Sequence, residues 1–282
     1  MTGGKRGRFG LAFVTVLLAG VPAWWLQHEW GLLRRMQTIV AAPPPAAAAQ
    51  SCAPLLAQRP LVLLVLGQSN AGNHGAPARD GATIAVWADG QCLQSADPLP
   101  GATGRGGSIW SQLPTQLAPQ HAGRPVLIAP LAVDATTIAD WTRWSSPLRR
   151  RLHEVARALL AQGLPPTLVL WQQGEADARA GTPAADYAAG LERLVADLRA
   201  TGIEAPILIA KSTVCRTPPD AAIGDAVTAL IERRPDLRDG VDMDAEIGAD
   251  LRADGCHLSA AGARRAAALW ARAIERALGP RR

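Results

Sequence analysis

From residue 60 onward, short apolar runs alternate with longer stretches whose apolar positions recur at helical spacing. Leu61–Leu66, Thr83–Ala88, Pro125–Leu131, Thr167–Trp171 and Pro206–Ala210 are too short for helices and read as five strands. Ser108–Leu117, Pro147–Gln162, Pro183–Ala200, Asp220–Arg233 and Ser259–Leu278 read as helices; prolines open several of them, and Gly163 and Gly202 close two. Such alternation predicts a parallel sheet covered by helices on both faces, with no internal repeat. Polar loops follow three of the strands, at Gly67–Asn73, Trp171–Asp177 and Lys211–Arg216, and a fourth polar segment, Ala253–Ser259, precedes the last helix. In a doubly wound fold the loops after the strands converge at one edge of the sheet.

The first fifty residues follow another pattern. Lys5, Arg6 and Arg8 precede an apolar run from Phe9 to Leu26, long enough to cross a bilayer, with Trp24, Trp25 and Trp30 at its far end. An uncleaved anchor and a signal peptide cleaved near Val21-Pro22-Ala23 both fit, and either exports the body. We expect an anchor or signal over residues 1–35, an Ala/Pro-rich linker over 36–59 and the α/β domain over 60–282. The body is then periplasmic or outside the cell, on an inner-membrane anchor or secreted.

Charge adds little. Of the net +5, residues 1–50 supply +4 from five Lys or Arg against one Glu, so the body is nearly neutral and nucleic acid is not an expected partner. Cys52, Cys92, Cys215 and Cys256 lack CxxC spacing and clustered histidines, which argues against a zinc site. In an exported protein they can form two disulfides. Cys52–Cys92 and Cys215–Cys256 is the expected pairing, because each joins segments expected to be neighbours.

"LVLLVLGQSN" ends a buried strand on Ser69, either a turn residue or a nucleophile. A nucleophile needs a base. His28 lies in the tail, His121 in a turn and His153 within a helix, while His74 is too local to be forced into that role but can line a pocket. His257, with Asp254 three residues before it, gives a carboxylate that can reach the ring Nδ1 while Nε2 faces a hydroxyl. The oxyanion donors expected are Ser69 N–H, Gly107 N–H and the Gln173 side chain. Gln68 and Asn70 read as loop-fixing groups. Glu175 and Asp177 read as supporting acids rather than a glycosidase pair.

The blocks "GQSNAGNHG", "GSIWSQL", "VDATTIADW", "WQQGEADA" and "DGCHLS" resemble, in order and separation, those of SGNH hydrolases, in the branch of sialate O-acetylesterases and acetylxylan esterases. The resemblance covers about residues 60–275. It implies a flavodoxin-like three-layer α/β/α sandwich around a mainly parallel five-stranded sheet, and a serine esterase using neither metal nor cofactor. Ser69 would be the nucleophile, His257 the base and then acid, and Asp254 its orienting group. Gln173 stands where other branches have asparagine. Many relatives carry Gly-Gly-Thr where this chain has Asp134-Ala135-Thr136. The expected activity is hydrolysis of acetylated carbohydrate through an acetyl-enzyme. The alternatives are an O-acetyltransferase working with polysaccharide-biosynthesis partners, and a carbohydrate-binding protein without catalysis.

Overall fold

The computed structural model describes residues 27–43, 52–76, 83–117 and 124–279; the apolar run Phe9–Leu26, its cleavage motif and His121 lie outside them. Seven strands form one sheet, two more than expected: β1 (Leu61–Gly67), β2 (Ile84–Ala88), β3 (Gln91–Ser95), β4 (Val126–Ala132), β5 (Leu168–Gln172), β6 (Ile207–Lys211) and β7 (Leu237–Asp242). Their order is β3-β2-β4-β1-β5-β6-β7, with every pair parallel except the β2–β3 hairpin. The five strands β4-β1-β5-β6-β7 carry the flavodoxin-like order, and the hairpin extends the sheet beyond β4.

Nine helices are described: α1 (27–36), α2 (Ala53–Ala57), α3 (Ile138–Thr142), α4 (Pro147–Ala161), α5 (Glu175–Ala180), α6 (Ala184–Ala200), α7 (Ala221–Arg233), α8 (Met243–Glu246) and α9 (Ala260–Leu278). Both faces of the sheet are covered because alternate strand residues point to opposite sides. Val62, Leu64 and Leu66 of β1 pack with Leu152, Leu159, Leu191 and Val227 from α4, α6 and α7. Leu61, Leu63 and Val65 pack on the other side with Trp270 and Ile274 of α9 and with Ile109, Trp110 and Leu113.

The expected helix at Ser108–Leu117 is instead a run of turns with a 3-10 segment at Leu113–Gln116. Pro114 lacks the N–H that a helix interior requires, yet the apolar side chains still face the core.

Residues before 60 also pack on the body. Leu32 of α1 is fully buried in the first core cluster, a contribution of about 2 kcal/mol for a leucine. Val40 exchanges backbone hydrogen bonds with Ala102 and Gly101 (3.0 and 2.8 Å). Both disulfides have the expected partners, Cys52–Cys92 and Cys215–Cys256.

At the end of β1 the chain turns at Gly67, whose φ is +151°, and a Cβ there would lie 2.0 Å from the Gln172 carbonyl oxygen of β5. Gly67→Ala is therefore expected to cost roughly 3 kcal/mol or more through backbone strain and overpacking. Urea denaturation checks this, and an unchanged midpoint would show that the strands have room to part here.

Candidate active site

β1 lies where the sheet's connections reverse, between β4 and β5, and Ser69 opens a 3-10 turn (Ser69–Ala71) immediately beyond it. The turn is held on several sides. Gln68 N–H donates to the Gln172 carbonyl (3.2 Å), Gln172 Nε2 donates to the Asn70 carbonyl (3.2 Å), and Trp110 Nε1 donates to the Ala71 carbonyl (2.8 Å). Ser69 is 95% enclosed but lines a cleft of about 140 Å³, and His257 lines the same cleft.

His257 sits in a loop closed by an antiparallel bridge between Arg252 and Leu258. Asp254 Oδ2 lies 3.0 Å from the ring Nδ1, and Asp254 Oδ1 accepts from the backbone N–H groups of His257 (2.7 Å) and Cys256 (2.9 Å). Burial opposes ionisation of Asp254, but these hydrogen bonds from His257 and Cys256 outweigh it and hold the carboxyl well below the usual range. An ionised Asp254 fixes the tautomer with Nδ1–H, leaving Nε2 free to accept a proton. His74 stacks on the His257 ring at 5.3 Å between centroids. Burial lowers the His74 pKa, against Asp134 and with His257.

The expected oxyanion donors need correction at two of three positions. Gly107 N–H donates to the Gly75 carbonyl (2.8 Å) in a short bridge, so it is not available to the cleft. Gln173 Nε2 faces Thr136 O (2.8 Å), Asp177 Oδ2 (2.5 Å) and Gln68 Oε1 (3.3 Å), which engages its NH₂ inside the protein. Ser69 N–H has no acceptor among the described residues. Neither does the N–H of Ala135, which the sequence marked as a departure but not as a donor. Ala135 lines the cleft in the left-handed region (φ +52°), which a glycine would adopt without strain.

Beneath the cleft lies a polar layer. Gln68 Oε1 accepts from Ala176 N–H (3.1 Å), and Asn70 Nδ2 donates to Glu175 Oε1 (2.7 Å) and to the Cys256 carbonyl (3.3 Å). Asp177 Oδ2 also accepts from Ile138 N–H (2.8 Å). Glu175 and Asp177 are fully buried, at the start of α5. Burial pushes Glu175 up to about 7 despite hydrogen bonds from Asn70 and Ser212, and raises Asp177 as well. Among the described residues no cluster of His, Cys, Asp and Glu could hold a metal.

Residues 104–276 match the family model described as carbohydrate esterase, sialic acid-specific acetylesterase. The chain belongs to this family. As a member of the carbohydrate esterase family, it shares its fold with several solved structures. A protein from Arabidopsis thaliana aligns at 18% identity over 75% of this chain and 95% of its own, with a TM-score of 0.55. A putative GDSL-like lipase from Parabacteroides merdae (14% identity, 75% and 94% coverage, TM-score 0.51) aligns as well. So does the esterase EstA from a Pseudoalteromonas species (15%, 77% and 98%, 0.50). Among curated protein sequences the esterase has no match.

The buried glutamate makes a prediction about stability. An acid whose folded pKa is raised from 4.5 to about 7 binds more protons folded than unfolded across that window, so it costs stability as pH rises. The stability of Glu175→Gln relative to wild type should therefore grow by up to about 3 kcal/mol between pH 4.5 and 7 and then level off. Denaturant midpoints measured across that range test it; parallel curves would mean that Glu175 ionises normally.

Proposed function

We propose that the protein is an exported carbohydrate O-acetylesterase in which Ser69 attacks the acetyl carbonyl. His257 Nε2 takes the hydroxyl proton and returns it to the sugar oxygen as that leaves. Water then enters, activated by the same ring, and releases acetate from the acetyl-enzyme. Asp254 orients the ring, and the N–H groups of Ser69 and Ala135 stabilise the tetrahedral oxygen. The observation that carries this reading is that Ser69 opens into the same cleft as a histidine whose far nitrogen is held by a carboxylate.

The substrate reading leans on the rim. Arg179 lines the cleft, is exposed, and has no carboxylate partner among the described residues, which suits an acetylated sugar bearing its own carboxylate. The two disulfides suit an oxidising compartment. Of the expected N-terminal segment (1–35), the basic and apolar part ahead of α1 would tether the domain to the inner membrane, with catalysis on the periplasmic side, while α1 and Val40 stay packed on the body.

Ser69→Ala should lower acetate release from acetylated sialic acid by about 10³-fold or more and abolish labelling by a fluorophosphonate. The latter follows the chemistry of EstA, whose structure was obtained inhibited by monoethylphosphonate. Unimpaired turnover by this variant would exclude Ser69 as nucleophile. Offering a glycan acceptor alongside water separates hydrolysis from acetyl transfer: glycan-bound acetyl would make the protein a transferase.

A further inference from the structure

The loop that carries Asp254 and His257 belongs to no strand. Its own backbone closes through the Arg252–Leu258 bridge, made by Ala253 N–H to the His257 carbonyl (2.8 Å) and Ser259 N–H to the Leu251 carbonyl (2.9 Å). Asn70 Nδ2 reaches its Cys256 carbonyl (3.3 Å) and Ala76 N–H its Leu258 carbonyl (2.9 Å), but most of its ties run to the loop after β6. Cys256, next to His257, is covalently joined to Cys215. Arg216 adds three contacts to the same loop: its N–H donates to the Gly255 carbonyl (2.8 Å), its Nε to the Asp254 carbonyl (3.2 Å) and its Nη2 to Asp254 Oδ2 (3.0 Å). Arg252 Nη1 bridges the two loops through the carbonyls of Val214 (3.2 Å) and Cys256 (2.7 Å). The loop after β6 is in turn fixed to the body: Thr213 and Val214 donate backbone N–H groups to the Asp244 carboxylate (2.8 and 3.0 Å), and Ser212 Oγ donates to Glu175 Oε1 (2.9 Å).

Both half-cystines are almost fully buried, and both line the cleft into which Ser69 opens. The other disulfide, Cys52–Cys92, ties α2 to β3 and lines no part of this cleft.

We propose that the Cys215–Cys256 disulfide, with Arg216, is a positioning element of the catalytic centre, so that the esterase is competent only when this pair is oxidised. The inference rests on the reading of Ser69 and His257 given above. Reduction breaks the sulfur–sulfur bond, each sulfur taking one electron and one proton, while a dithiol reductant supplies both and closes to its own disulfide. The freed loop keeps Asp254 beside His257, since those bonds are internal to it, but loses its covalent tie to β6. A loosely held base slows attack by Ser69 more than it weakens substrate binding, because a misplaced group near the reacting atoms acts on the transition state. Acetyl-ester hydrolysis would then begin only once the chain has reached an oxidising compartment.

The test uses the full chain in detergent, with acetate release from acetylated sialic acid as the assay. Wild type is reduced with dithiothreitol, freed of reductant under argon, and its thiols counted by mass; the Cys215→Ser/Cys256→Ser and Cys52→Ser/Cys92→Ser variants are run beside it. The expected result is a fall in kcat of at least tenfold, with KM within twofold, for reduced wild type and for the Cys215/Cys256 variant. Fluorophosphonate labelling of Ser69 should slow in parallel, reoxidation should restore activity, and the Cys52/Cys92 variant should keep its kcat. Full kcat in reduced wild type or in the Cys215/Cys256 variant overturns the proposal. So does loss of activity accompanied by loss of the folded circular-dichroism signal, which would make the bond merely structural. Ser69→Ala separates the two readings. If that variant is inactive while the reduced enzyme works, only the positioning role fails; if it is active, the nucleophile assignment fails first.

Discussion

The ends of β1 and β5 meet so closely at Gly67 and Gln172 that no side chain fits between them. This contact sets where the chain leaves the sheet. It turns Ser69 into the crevice between β4 and β5 and brings Gln172 under the turn, where its side chain donates to Asn70 and accepts from Trp270 Nε1 of α9 (2.8 Å). A residue with a Cβ at position 67 would push the turn away from both. The apolar alternation of β1 supplies the burial that holds the strand in place, with leucines and valines on either face anchored by different helices.

From that contact the site extends outward through polar side chains rather than apolar packing. Asn70 touches both Glu175, at the start of α5, and the carbonyl of Cys256, beside His257. Asp177 joins α5 to the first turn of α3 through Ile138 N–H. The Ser69 turn, the His257 loop and the loop after β4 are thereby linked through one buried layer. Such a layer is rigid only while each group keeps its partners, which is why the buried acids matter to the geometry of the cleft above them.

Much of this was legible along the chain. The five strands read from apolar runs all exist to within a residue or two, as do four of the five long helices, because burial on both faces leaves continuous apolar runs and amphipathic stripes. β7 escaped notice because as an edge strand, "LRDGVD", it buries only Leu237 and Val241. β3 could have been found: Asp89 and Gly90 both adopt positive φ between two strands, and Asp-Gly is a strong hairpin signal. The misplaced oxyanion donors have a different cause. Gly107 and Gln173 have suitable chemical groups, but whether an N–H faces a cleft or a neighbouring carbonyl depends on where another segment runs, here Gly75 and Thr136.

By itself the sequence determined the fold class and the family, together with the residues whose chemistry suits an esterase, and it favoured the cysteine pairing that the structure shows. Those properties follow from local pattern, from the order of motifs and from residue type. Only the tertiary structure decided which donors are free, since Ala135 became a candidate through a left-handed turn and Gly107 ceased to be one through a bridge. It alone showed that the loop carrying Asp254 and His257 is joined to the loop after β6 by a disulfide and by Arg216. The physical reason is that hydrogen bonds are directional and saturable: a residue type states what a group can offer, and its neighbours in space decide to whom.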